Sequence, residues 1–70
     1  MTYYAKFLDN YRMNPDSLWT IPDDQWKSDG VFEFCKLADA LWVGRMTFCN
    51  DIYYAIGKSM QNVRIALEQW

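Results

Sequence analysis

Residues 31–70, VFEFCKLADALWVGRMTFCNDIYYAIGKSMQNVRIALEQW, carry most of the apolar side chains and decide the fold class. Val31, Cys35, Ala38, Trp42, Arg45, Cys49, Ile52, Ile56, Ser59, Val63, Ala66 and Trp70 succeed one another at alternating steps of four and three. All of them except Arg45 and Ser59 are apolar or aromatic. Phe34, Leu41, Phe48 and Ala55 flank this seam on one side, and Phe32, Met46, Tyr53, Met60 and Leu67 on the other. Glu33, Lys36, Asn50, Asp51, Lys58, Gln61, Arg64 and Glu68 fall on the opposite arc. A repeat near 3.6 residues predicts amphipathic helix, and period two fits it less well.

Gly44 and Gly57 interrupt the pattern, each costing about 1 kcal/mol relative to alanine inside a helix. A single 40-residue helix would be roughly 60 Å long and would demand a dimer. A break at Gly44, or at Cys49-Asn50-Asp51 where Asn50 or Asp51 caps a new helix, gives two helices instead, about 30–43 and 46–69. The β alternative pairs Val31–Cys35 with Trp42–Cys49 as a hairpin around Gly44. No tight two-residue turn sequence accompanies it, and helix is preferred.

Thr2 is a candidate N-cap for a first helix to Arg12, with Tyr4, Phe7, Leu8 and Tyr11 at helical spacing. Asn14-Pro15-Asp16 ends it and starts a short turn carrying Leu18 and Trp19. Thr20-Ile21-Pro22-Asp23 resembles a capping box and launches a short helix through Trp26, ending near Asp29-Gly30. The expected architecture is all-α: a single domain over 1–70, a bundle of about four helices with short N-terminal ones packed on two longer C-terminal ones. The longer C-terminal helix suits a homodimer.

Seventy residues, 51% hydrophobic and 19% aromatic, are enough to fold and too few for a second domain. So many rings on so small a body predict that some stay exposed or are covered by another chain. The net charge of -2 and the lack of any Lys/Arg run argue against nucleic-acid binding. Acidity gathers in one segment, where Asp16, Asp23, Asp24, Asp29 and Glu33 face a single base, Lys27. Cys35 and Cys49 would lie roughly 21 Å apart along one helix, so they read as small core residues of a reducing cytoplasm. Neither a signal-peptide layout nor a run of 18 apolar residues is present, which predicts a cytoplasmic protein that does not enter membranes.

Catalytic equipment is sparse. There is no histidine, which removes the usual base for Ser17, Ser28, Ser59 or either cysteine. The two cysteines lack zinc spacing, and Gly30, Gly44 and Gly57 are too scattered for a phosphate loop. Asp23-Asp24 and Asp29 with Glu33 offer oxygen ligands for magnesium, but acids at helix starts are accounted for by the macrodipole. Lys36-Leu37-Ala38-Asp39-Ala40-Leu41-Trp42-Val43, continuing through Ile52 to Asn62, resembles the third-helix region of the all-α nucleotide pyrophosphohydrolases of the MazG type. That resemblance implies an all-α fold and magnesium held by an acid-rich helix followed by a Glu-x-x-Asp pair. Lys36 stands where that glutamate belongs and no Glu-Glu-x-x-Glu helix precedes it, so no active site, metal or cofactor is carried over.

The expected function is non-enzymatic: a small regulator or inhibitor of the phage or mobile-element type. It would bind a basic surface on a host protein through Asp16, Trp19, Asp23, Asp24, Trp26, Asp29 and Tyr54. Tyr54 is expected exposed, from its place on the polar arc. The alternative is a homo-oligomeric assembly subunit associating through Ile52, Ile56, Val63, Leu67 and Trp70. A degenerate pyrophosphohydrolase-like protein is the third reading.

Overall fold

The computed structural model describes residues 2–70. It corrects the all-α expectation: most of the region read as helix is β-sheet. In chain order the elements are β1 (Tyr3–Phe7), α1 (Asp16–Trp19), a 3-10 turn (Asp23–Gln25), β2 (Lys27–Asp29), β3 (Phe32–Ala38), β4 (Leu41–Phe48), β5 (Asp51–Gly57) and α2 (Met60–Glu68). The strands form one sheet in the order β1-β5-β4-β3-β2. β2 to β5 run as an antiparallel meander, and β1 lies parallel to β5 at the far edge.

The physical reason for the misreading is that this sheet is covered on both faces. A sheet with one wet face alternates apolar and polar, whereas one covered twice reads as a nearly continuous apolar run. In β5, Tyr54, Ala55, Ile56 and Gly57 are all buried. Tyr54 and Ile56 join Cys35 and Val43 against Leu18 and Trp26 of the β1–β2 connection. Ala55 and Phe34 pack against Val63, Ala66 and Leu67 of α2. The four-three seam is the superposition of these two faces.

Three tight hairpins carry the meander, and two of them lack a glycine. Cys49 and Asn50, both at positive φ (51° and 71°), join β4 to β5, the conformation a two-residue hairpin of the I′ kind requires. Asp39-Ala40, with Ala40 at φ 56°, joins β3 to β4, and Gly30-Val31, with Gly30 at φ 66°, joins β2 to β3. The β3–β4 hairpin thus turns at Asp39-Ala40, while Gly44 sits mid-strand opposite Phe34. The fragment Lys36–Val43 that resembled a pyrophosphohydrolase helix is this hairpin, so the fold implied by that resemblance does not hold.

Some local expectations are met. Asn14-Pro15-Asp16 does start the short turn α1, with the Asn14 side chain accepting from the Asp16 amide. A 3-10 turn follows Pro22, without the side-chain cap the sequence suggested. Residues 2–12, expected as helix, hold β1 instead. The helix expected over 46–69 survives only as α2, which Ser59 caps by accepting from the Asn62 amide. Among the described residues no helix is long and apolar enough to cross a membrane.

Gly44 admits α2 onto the sheet. A Cβ there would lie 2.4 Å from Val63 Cγ1 and 2.9 Å from Leu67 Cδ1. Gly44→Ala should therefore lower unfolding free energy by about 1–3 kcal/mol through overpacking, measured as a fall in the denaturant midpoint. A glycine inside a helix would respond oppositely, gaining about 1 kcal/mol, so a stabilised variant would contradict the sheet.

Candidate functional site

Of the residues predicted to bind a partner, Asp16, Trp19, Asp23, Asp24 and Trp26 lie in the β1–β2 connection and Tyr54 on the sheet face beneath it, while Asp29 on β2 pairs towards α2. Glu33, Arg45 and Tyr54 are consecutive cross-strand neighbours on β3, β4 and β5. The Arg45 guanidinium donates from Nε to Glu33 Oε1 at 2.9 Å and from Nη2 to Glu33 Oε2 at 3.0 Å. The Trp26 ring lies over it, 4.3 Å from centroid to Cζ, and Asp23 approaches Nη1 at 3.8 Å. Burial alone would lower the Arg45 pKa, but the hydrogen bonds and charge of Glu33 outweigh it and hold it above its ordinary value. This charge-assisted fork ties the connection to the sheet.

Tyr54 is 2% exposed, which corrects its expected exposure. On a helical wheel it falls on the polar arc; on a strand it faces the covered side. Its ring meets Trp19 at 5.0 Å and Trp26 at 6.1 Å, and Trp19 stacks on Tyr3 at 4.9 Å. Trp26 is buried too, with Nε1 unpartnered among the described residues. Asp16 accepts from Trp19 Nε1 at 3.0 Å, and Asp29 pairs with Arg64 of α2. The predicted acidic surface is thus partly neutralised by Arg45 and Arg64. Only Asp16 and Asp24 of that set lack a cationic partner among the described residues.

The predicted self-association residues fare similarly. Ile56, Val63 and Leu67 are fully buried inside one chain, and Ile52 packs half-buried under the connection. The burial they were expected to find in a dimer comes from the opposite layers of the same molecule. Trp70 alone of this group is an exposed large apolar residue, at 40%.

Trp70 belongs to a surface the sequence reasoning missed. Tyr4 and Tyr53 are register partners on β1 and β5, their rings stacked at 5.1 Å and 13°. Trp70 meets Tyr53 edge-on at 5.0 Å, and the Lys6 ammonium sits 4.7 Å over the Trp70 ring. The signal was the pair of dipeptides Tyr3-Tyr4 and Tyr53-Tyr54. In a strand each sends one ring to either face, so Tyr3 stacks on Trp19 at the rim of the cluster that buries Tyr54, while Tyr4 and Tyr53 join Trp70.

This aromatic strip runs beside a free backbone edge. The Ile52 amide donates to Thr2 O at 2.9 Å and the Leu8 amide to Ile56 O at 2.8 Å. In a parallel ladder a residue turns both its N–H and its C=O to the same neighbour, and alternate residues turn the opposite way. These bonds at either end give even-numbered residues of β1 to β5, so Tyr3, Ala5 and Phe7 turn their N–H and C=O groups outward. Among the described residues no other strand lies on that side.

Two further features are lesser candidates. A cleft of about 260 Å³ alongside β2 is lined by Phe34, Trp42, Met60, Lys27 and Lys36. No three potential metal-binding side chains converge among the described residues. Cys49 is exposed and Cys35 buried, both free thiols.

Burial raises the Cys35 pKa, and it raises that of Tyr54 against the opposing pull of Arg45. Both groups therefore keep their protons in the folded chain at pH values where the unfolded chain releases them, above about 8.5 for a thiol and 10 for a phenol. Their stabilisation is complete below those values and is lost as pH rises through them towards the folded-state values. The melting temperature should fall from about pH 9 upward, with Cys35→Ala moving the onset later; a melting temperature that rises over this range would contradict their burial. No protein-family model, curated protein or solved structure matches the chain.

Proposed function

We propose that this protein is a non-catalytic protein-binding module, of the regulator or inhibitor kind, that takes an extended segment of its partner along β1 as a sixth strand. The observation that carries this is the outward-turned N–H and C=O groups of Tyr3, Ala5 and Phe7 beside the aromatic strip of exposed Tyr4 and Trp70 with half-buried Tyr53 between them. Strand addition draws affinity from main-chain hydrogen bonds and specificity from pockets for alternate side chains. Tyr and Trp supply the large contact area at low conformational cost that binding hot spots favour.

Of the devices that usually protect an edge, β1 carries one, a lysine. It has no proline and no bulge, and its single charge, Lys6, is drawn over Trp70. The acidic segment takes a smaller part than its composition suggested. Asp16 and Asp24 remain available for steering a basic partner, which would affect encounter rate more than dissociation.

A photoreactive phenylalanine analogue at Tyr4 should give discrete adducts in cells, with another protein or a second copy. The same analogue at Val31, which is 74% exposed on the β2–β3 turn, should not. Ala5→Pro removes one outward donor and leaves the bonds to β5 in place, so it should abolish the Tyr4 adducts while preserving the fold. Adducts equal at both positions, or unaffected by Ala5→Pro, would contradict binding along β1.

A further inference from the structure

The geometry of β1 points to its occupant in the absence of another partner: a second copy of this chain, paired antiparallel about a two-fold axis through Ala5. This rests on the proposed role of the β1 edge and names what fills it. Isologous pairing requires a strand complementary to itself, and the outward groups satisfy that condition. With Ala5 opposite the partner's Ala5, Tyr3 faces the partner's Phe7 and Phe7 the partner's Tyr3. Each of these residues then donates and accepts one hydrogen bond across the axis.

The side chains fit the same register. Tyr4 and the partner's Lys6 become a non-hydrogen-bonded pair, the kind with the closest side chains, about 4.5 Å between Cα atoms. Lys6 already lies over the Trp70 ring, so the partner's Tyr4 gives its ammonium a second aromatic neighbour. On the other face Tyr3 meets the partner's Phe7, an aromatic pair of the sort that stabilises cross-strand contacts. Ala5 leaves no bulk on the axis.

Neighbouring registers are worse. Moving the axis towards Phe7 sets Lys6 directly opposite the partner's Lys6, a like-charge pair. Moving it towards Tyr3 takes Phe7 beyond the partner's β1 and loses its bonds. Tyr3 and Tyr4, exposed at 44% and 41% in the single chain, become partly covered in the favoured arrangement. A partner strand so held would compete with any other protein for the edge, making self-association a brake on binding.

The test uses the full chain with Cys49→Ser, which removes the exposed thiol. Tyr4→Cys and Lys6→Cys proteins, mixed and oxidised, should form the mixed disulfide in clear excess over either homodisulfide. Light scattering should show the chain without these cysteines as a dimer at high micromolar concentration and Ala5→Pro as a monomer. A monomer at that concentration, or disulfides in statistical proportion, would overturn the second copy. If Ala5→Pro still abolished Tyr4 adducts with another protein, strand addition would stand while the two-fold pair fell. A dimer that Ala5→Pro leaves intact would overturn the pairing, because its interface would lie elsewhere; the Tyr4 adducts test strand addition separately.

Discussion

The burial of β5 on both faces and along both edges is the constraint from which the rest of the structure follows. Its backbone bonds to β4 on one side and to β1 on the other, and its side chains alternate between two cores. Seventy residues cannot supply two full layers of regular structure over a sheet, so the cover is uneven. One face receives the nine-residue helix α2. The other receives the irregular connection from β1 to β2, whose Leu18 and Trp26 act as plugs.

An irregular layer needs fastening, since it brings few backbone hydrogen bonds of its own. The Arg45 fork supplies one anchor by joining β4 to Glu33 on β3 and to Asp23 and Trp26 in the connection. Tyr11 supplies another, its hydroxyl donating to Ala40 O at the β3–β4 turn. The acids that looked like a docking surface are in part fasteners. The aromatics beside them are in part the core, which explains why a segment rich in Asp and Trp need not be a binding face.

Parts of this were legible in the residues. Asn14-Pro15 and Pro22-Asp23 marked short turns, and the apolar character of residues 31–70 marked the core. The strands were hidden because double-sided burial erases period two in β4 and β5, and chance spacing of two interleaved faces produced a helical step. The hairpins were hidden because Cys49 and Ala40 occupy left-handed positions usually given to Gly or Asn. The free edge of β1 could not be read locally at all. It depends on β1 pairing with β5, some 49 positions away in the chain, a contact no window of sequence reveals. The aromatic strip suffers the same limit, since Tyr4, Tyr53 and Trp70 meet only once that pairing exists.

Residue-resolved amide hydrogen exchange, measured by NMR, tests the central role of β5 most directly. Amides opening only with global unfolding mark the stable core of a fold. Tyr54, Ala55 and Ile56 should be among the slowest of the chain, exchanging at the rate set by global unfolding. Rapid exchange at these three residues, with the slowest amides confined to 60–68 or joined in a helical run through 46–59, would contradict the account.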